Sequence, residues 1–211
     1  MARSSSRAIL PRNRLARVAD IIIAGTDMIE NNLVIQNIND PADFPQAAKV
    51  IRESFKTVAE EFKLTKKSTP THPAFLNVRW LREKYRTSES VKFFGMFAGK
   101  KQIGFVLIER ASPENPDLHI KPGPDAWWIE KLAIIPKHRH GGSGAKLVDC
   151  ALDYIRNQGG KKVVLGMLDE STVLKNWYKK LGFEVVTKRK FSHLPFHVMF
   201  MERDTAPLKK Y

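Results

Sequence analysis

Leu132-Ala133-Ile134-Ile135-Pro136-Lys137-His138-Arg139-His140-Gly141-Gly142-Ser143-Gly144 runs from an apolar strand through a proline stop into a glycine-rich turn. The residues after it read as an amphipathic helix from about Gly144 to Asn157, with Leu147, Val148, Ala151, Leu152 and Ile155 on its apolar face. Gly159-Gly160 closes that helix. The first amides of a helix have no partner within it, and the helix dipole adds partial positive charge there. Glycines let the backbone come close to a ligand. A strand, such a turn and a helix in this order make a phosphate cradle, with the Arg139 cation at its rim.

Two familiar phosphate loops do not fit. A nucleotide-triphosphate loop needs Gly-Lys followed by Ser or Thr, whereas Lys146 lies between Ala145 and Leu147. The dinucleotide fingerprint needs a third glycine where Leu147 stands. Arg139, Gly142 and Gly144 do match Arg-x-x-Gly-x-Gly, which resembles the pyrophosphate loop of the GNAT superfamily of acetyl-CoA-dependent N-acetyltransferases. Downstream, Asn176-Trp177-Tyr178-Lys179-Lys180-Leu181-Gly182-Phe183 resembles the second signature of that superfamily, a Tyr on a short helix just before Gly-Phe. Finding both in order, with a helix and a strand between them, is far more specific than either alone. The resemblance spans residues 33 to 202 and is tightest from Trp128 to Val186.

This resemblance implies an α/β (α+β) domain with the GNAT-like acyl-CoA N-acyltransferase fold. Its central sheet is mixed and mostly antiparallel, with six or seven strands and about four flanking helices. Acetyl-CoA is the implied cosubstrate and a primary amine the implied acceptor. The loop Arg139, His140, Gly141, Gly142, Ser143, Gly144 and Ala145 is expected to hold the pyrophosphate. Backbone groups of Leu132, Ala133 and Ile134 are expected to bind the pantetheine arm, with the Ile134 amide supporting the oxyanion. Tyr178 is the implied general acid toward the leaving sulfur. Where many members have Asn touching the CoA arm, this chain has Ser171, a shorter side chain that still hydrogen-bonds.

Glu130 is a candidate base. Strand alternation puts it on one face with Trp128, Leu132 and Ile134, and a carboxylate on an apolar face is costly unless paired or functional. An ion pair with a nearby Lys or Arg accounts for it equally well. His193 and His197, in the Phe191–His197 stretch, are either substrate contacts or surface or satisfied core groups, and His138 and His140 lack metal-ligand spacing, so no metal is expected.

The flanking elements follow from periodicity. Leu33 to Ile38 alternates as a strand. After Asn39-Asp40-Pro41, the residues Ala47, Val50, Ile51, Phe55, Val58 and Phe62 recur at helical spacing. Ser68 to Pro73 reads as a loop and Phe75 to Tyr85 as a second helix. Val91–Ala98 and Ile103–Glu109 form a hairpin about Gly99-Lys100-Lys101. Residues 111–125 read as a long irregular loop, in which Glu114, Asp117 and Asp125 are candidates to receive a cationic amine. Ala126–Ile135 is a strand, Lys162–Met167 another, and Thr172–Lys180 a short helix. Phe183–Thr187 and Phe196–Met201 are the last two strands, giving the order β-α-α-β-β-β-α-β-α-β-β. Of the adjacent Trp127 and Trp128, alternation sends one to each face.

Residues 1–31 form a basic extension, with five arginines before the first acid, and read as a tail or a targeting segment. The domain runs from 32 to 205, and 206–211 are a tail. The net charge of +14 belongs mostly to the domain and suits polyanions. No zinc-finger spacing or RNA-binding aromatic motif supports a nucleic-acid partner. The single cysteine, Cys150, is read as packing and fits a reducing, cytoplasmic setting. No apolar run approaches the roughly 20 residues that span a bilayer, so no membrane partner is expected. The acceptor is a small-molecule or protein amine. Two other readings remain at this stage: a catalytically silent acyl-CoA sensor, and a nucleic-acid-associated protein.

Overall fold

Residues 33–112 and 122–207 are described by a computed structural model of the chain. Among them the order is β1 (Leu33–Asn37), α1 (Phe44–Glu61), a one-turn 3-10 helix (Pro73–Phe75), α2 (Val78–Thr87), β2 (Lys92–Ala98) and β3 (Lys101–Arg110). Then come β4 (Ala126–Ile134), a second 3-10 turn (Pro136–His138), α3 (Ser143–Asn157), β5 (Lys162–Leu168), α4 (Thr172–Lys180), β6 (Glu184–Lys190) and β7 (His197–Asp204). This is the expected order of elements. The extension at 1–31, the acids Glu114 and Asp117, and residues 208–211 lie outside the described residues.

The second helix starts later than periodicity suggests. Pro73 opens its own short turn, and Asn77 then takes an extended conformation. Its side-chain oxygen accepts from the Arg79 amide at 2.9 Å, an N-cap that sets the true start at Val78.

The strands form one sheet in the order β1-β2-β3-β4-β5-β7-β6, antiparallel throughout except for β4 and β5. Neighbouring residues of a strand point to opposite faces. Phe93 therefore meets Phe44 of α1 at 5.4 Å, while Phe94 meets Tyr154 of α3 at 5.4 Å on the other side. Helices α1 and α2 cover the first face, and α3 covers the second with Leu147, Val148, Ala151, Leu152 and Ile155, all buried as its periodicity required. Burying each of the Leu, Val and Ile side chains stabilises the fold by about 1.5–3 kcal/mol.

Two irregularities of β4 shape the molecule. First, Phe105 of β3 pairs with Ala133 and Leu107 with Glu130, so Lys131 and Leu132 together oppose Val106. This is a β-bulge, and Lys131 adopts φ +52° within it. The bulge overturns simple alternation along the strand. Glu130 stays on the α1/α2 face beside Lys84, but Ile134 is turned to the α3 face, where its side chain and Leu147 crowd Gly104. Second, β4 pairs with β5 only from Ala126 to Trp128. Beyond that point Leu165 to Leu168 of β5 pair with β7, and β4 pairs with β3. The facing edges of β4 and β5 part like a wedge.

Candidate active site

The wedge opens into a cleft of about 1680 Å³. That exceeds the 300–1,000 Å³ typical of a site for one small ligand. Residues Trp128 to Ile134 of β4 and Leu165 to Leu168 of β5 line it, so the unpaired strand edges border the cavity. The main-chain direction at the end of β4 follows from one hydrogen bond. The Ile135 amide donates to Ile103 O at 3.0 Å across β3, so the amide and carbonyl of Ile134 point the other way, into the wedge.

The glycine-rich turn closes one end. Arg139, His140, Gly142, Gly144 and Ala145 line the cleft, whereas Gly141 and the buried Ser143 do not. His140 at φ +66° and Gly142 at φ +77° both take the left-handed conformation, and that swings the chain into α3. A Cβ at Gly142 would meet nothing within 4 Å, so glycine there serves the backbone angle and leaves the space in front open. Gly144 has a different reason, since a Cβ there would lie 3.1 Å from the Trp177 ring of α4. No side chain caps α3, and its first helical bond runs from the Lys146 amide to Gly142 O. The amides of Ser143, Gly144 and Ala145 precede that bond and remain available to an anion.

Arg139 borders the cleft, but its guanidinium is engaged by the protein itself. Its guanidinium turns inward: Nε donates to Ile134 O at 3.0 Å, Nη1 to Thr57 Oγ1 at 3.0 Å and Nη2 to Ser54 O at 2.5 Å. The rigid fork ties the end of β4 to α1 and holds the turn between them. Burial disfavours its charge.

Helix α4 brings Tyr178 to the same cleft, its ring 5.4 Å from Phe183 and 4.8 Å from Trp177. Burial pushes its phenol well above the ordinary value, so the hydroxyl is protonated at neutral pH. Ser171 lines the cleft at the start of α4, without using its hydroxyl as a cap.

The wall on the α1/α2 side carries paired charges. Lys131 Nζ lies 3.1 Å from Glu130 Oε2, and Lys84 forms an ion pair with Glu109. Both ammonium groups stand over the Trp80 ring, at 5.0 and 6.0 Å from its centre. Burial by itself would raise the Glu130 carboxyl, but Lys131 and Lys84 outweigh it and hold the group below its usual range. Of the two readings of Glu130, the ion pair is therefore present. Sequence reasoning missed Lys131 and His72 on this wall, because neither belongs to a local motif.

Other candidates fall elsewhere. His193 lines the cleft and the exposed His197 does not. Asp125 is engaged by Lys161 at 2.9 Å. Trp127 is buried against Tyr154 of α3, and Trp128 faces the cleft beside Phe200. Burial, with Asp153, pushes the Cys150 thiol up to about 11, which suits a packing residue. Among the described residues no group of three or more His, Cys, Asp or Glu is placed to hold a metal ion. No described helix is long and apolar enough to cross a membrane.

A splayed β4–β5 pair, an uncapped helix behind a glycine turn and a tyrosine of α4 meet at one cleft. The sequence profile of the Acetyltransferase (GNAT) family matches residues 55–183, more than half of the chain. The chain belongs to this family of acetyltransferases. Solved structures agree on the fold. The ribosomal-protein-S18-alanine N-acetyltransferase from Escherichia coli superposes with a TM-score of 0.61 at 14% identity, covering 85% of this chain and 99% of that one. The PaiA N-acetyltransferase from Thermoplasma acidophilum, in complex with coenzyme A, gives 0.60 at 19% identity, covering 82% and 99%. A GNAT-family acetyltransferase from Staphylococcus aureus Mu50 gives 0.59 at 18% identity, covering 82% and 99%. A comparison with curated proteins returned no match.

Proposed function

We propose that this chain is an N-acetyltransferase that moves an acetyl group from acetyl-CoA to a primary amine by direct transfer in the wedge between β4 and β5. The observation that carries the reading is the coincidence, in one cleft, of an unpaired β4 edge and the open amides of Gly144 and Ala145. An unpaired strand edge suits a chain of amides such as the pantetheine arm, and open helix amides suit a pyrophosphate.

Within this reading the Ile134 amide, aimed into the wedge, donates to the oxygen of the thioester carbonyl as negative charge develops there. Tyr178 donates its proton to the sulfur as the carbon–sulfur bond breaks, and regains one from solvent. Its raised proton affinity is no obstacle, because the same apolar surroundings also disfavour a thiolate. A carboxylate held below its ordinary range is a weak base, so the ion pair favours Glu130 as an electrostatic guide for the amine, with water carrying the released proton.

The test is calorimetric titration with acetyl-CoA of the wild type beside Gly142→Glu. Any side chain at φ +77° strains the backbone by about 1–3 kcal/mol, so urea unfolding of the variant is measured beside its binding, and a carboxylate there also opposes the pyrophosphate. We expect Kd to rise by about 100-fold or more, on the order of 3 kcal/mol. A folded wild type that does not bind acetyl-CoA overturns the reading.

A further inference from the structure

The segment between α1 and α2 holds His72 almost wholly buried, at 6% exposure, between Phe55 at 5.9 Å and Phe75 at 6.1 Å. Its Nδ1 accepts from the Ala74 amide at 3.3 Å. A ring nitrogen that accepts carries no proton, so in the neutral ring the proton sits on Nε2. Burial, and Lys131 to a lesser degree, push the imidazole down to about 4, which keeps it in this neutral form at physiological pH.

Nε2 has no partner. Among the described residues, the buried side-chain nitrogen or oxygen atoms in this position are His72 Nε2 and Trp127 Nε1. Trp127 lies on the α3 face, whereas His72 lines the cleft. Native structures rarely leave a buried donor unsatisfied, because the desolvation penalty is then uncompensated. Nε2 itself is closed to water in this conformation while the residue borders the cleft, so a ligand oxygen that satisfies this donor reaches it by displacing the side chains that cover it.

The surroundings say which ligand. His72 stands with Lys131 and Glu130 at the middle of β4, on the α1/α2 side, not at the glycine-rich end of the strand. The charges there are paired, Lys131 with Glu130 and Lys84 with Glu109. The unsatisfied group is a neutral N–H. It is suited to a carbonyl or carboxylate oxygen and offers nothing to a second ammonium group.

We propose that His72 Nε2–H is a specificity-determining donor of the acceptor subsite, receiving a carbonyl or carboxylate oxygen carried by the amine that is acetylated. The acceptor class is then an amino acid or an aminoacyl amide in preference to a plain alkylamine or a polyamine. The proposal rests on the acetyltransferase reading above.

Three probes share one carbon frame about the amine: isopropylamine, L-alaninamide and L-alanine. Acetylation of each is followed by thiol release at saturating acetyl-CoA, for the wild type, His72→Phe and His72→Gln. The quantity compared is kcat/KM relative to isopropylamine, as a ratio of variant to wild type, so that the different basicities of the amines cancel. We expect His72→Phe to lower this relative value by about tenfold for the oxygen-bearing probe that the enzyme prefers, through KM. His72→Gln, which keeps an N–H near the position of Nε2, restores part of it. Preference for alanine over alaninamide identifies a carboxylate, and the reverse an amide carbonyl as at a peptide N-terminus. Acetyl-CoA titration of both variants checks that they are folded. An unchanged relative value in His72→Phe overturns the inference, as does acetyl-CoA binding by the wild type without transfer to either oxygen-bearing probe. Failure to bind acetyl-CoA at all overturns the function reading instead, so the two failures are distinguishable.

Discussion

The two walls of the cleft are made of different material. On the glycine-turn side the surface is main chain: the amides that open α3 and the unpaired edge at the end of β4. On the α1/α2 side it is side chain: Glu130 with Lys131, Lys84 with Glu109, and His72. Main-chain groups have the same donors and acceptors whatever the residue, so they suit a ligand portion that never changes. Side chains can be exchanged one at a time without rebuilding the sheet, so they suit the part of the reaction that differs between enzymes. A fold with one wall of each kind keeps its cosubstrate while its acceptor drifts.

Substitutions on the two walls sharpen this contrast. The largest effect is expected at Tyr178, the general acid of the proposed reaction. Tyr178→Phe removes only a hydroxyl from a buried ring, and kcat should fall by about 100-fold or more while the Kd for acetyl-CoA changes less than about threefold. Parallel losses of kcat and binding in single-turnover and calorimetric measurements would make Tyr178 a packing residue instead. Next comes Arg139→Ala, which deletes the fork joining β4 to α1. Its expected signature is a stability loss of about 2 kcal/mol in urea unfolding, because the carbonyls of Ile134 and Ser54 lose a donor. A variant of unchanged stability that no longer binds acetyl-CoA would return Arg139 to the role of a phosphate cation. The smallest effect belongs to Glu130→Gln, for which kcat/KM should drop by less than about tenfold, since a carboxylate held below its ordinary range by Lys131 and Lys84 is a weak base. A drop of about 1,000-fold with the pH profile losing its acid limb would make Glu130 the base after all.

Arg139 and Glu130 also mark the limit of what spacing reveals. Both were singled out from sequence, and both lie at the cleft. What each does depended on neighbours remote along the chain: Thr57 and Ser54 for Arg139, Lys84 of α2 for Glu130. The face of Ile134 was misjudged for a related reason. Alternation assumes an unbroken pleat, and the bulge at Lys131 is a main-chain irregularity in a run of residues compatible with a regular strand. His72 gave no local signal, because its meaning comes from burial between Phe55 and Phe75 and from what its Nε2 lacks.

The sequence by itself determined the order of strands and helices, the apolar face of α3, the glycine turn and the position of Tyr178 before Gly182-Phe183. These are local matters: a helix face repeats every few residues, and a left-handed turn calls for glycine at the residue that makes it. Only the tertiary structure decided that β4 and β5 part after Trp128, that Arg139 turns inward, and that Nε2 of His72 is buried without a partner among the described residues. Each of these depends on which distant segments fill the space around a residue, and such packing leaves no periodic trace along the chain.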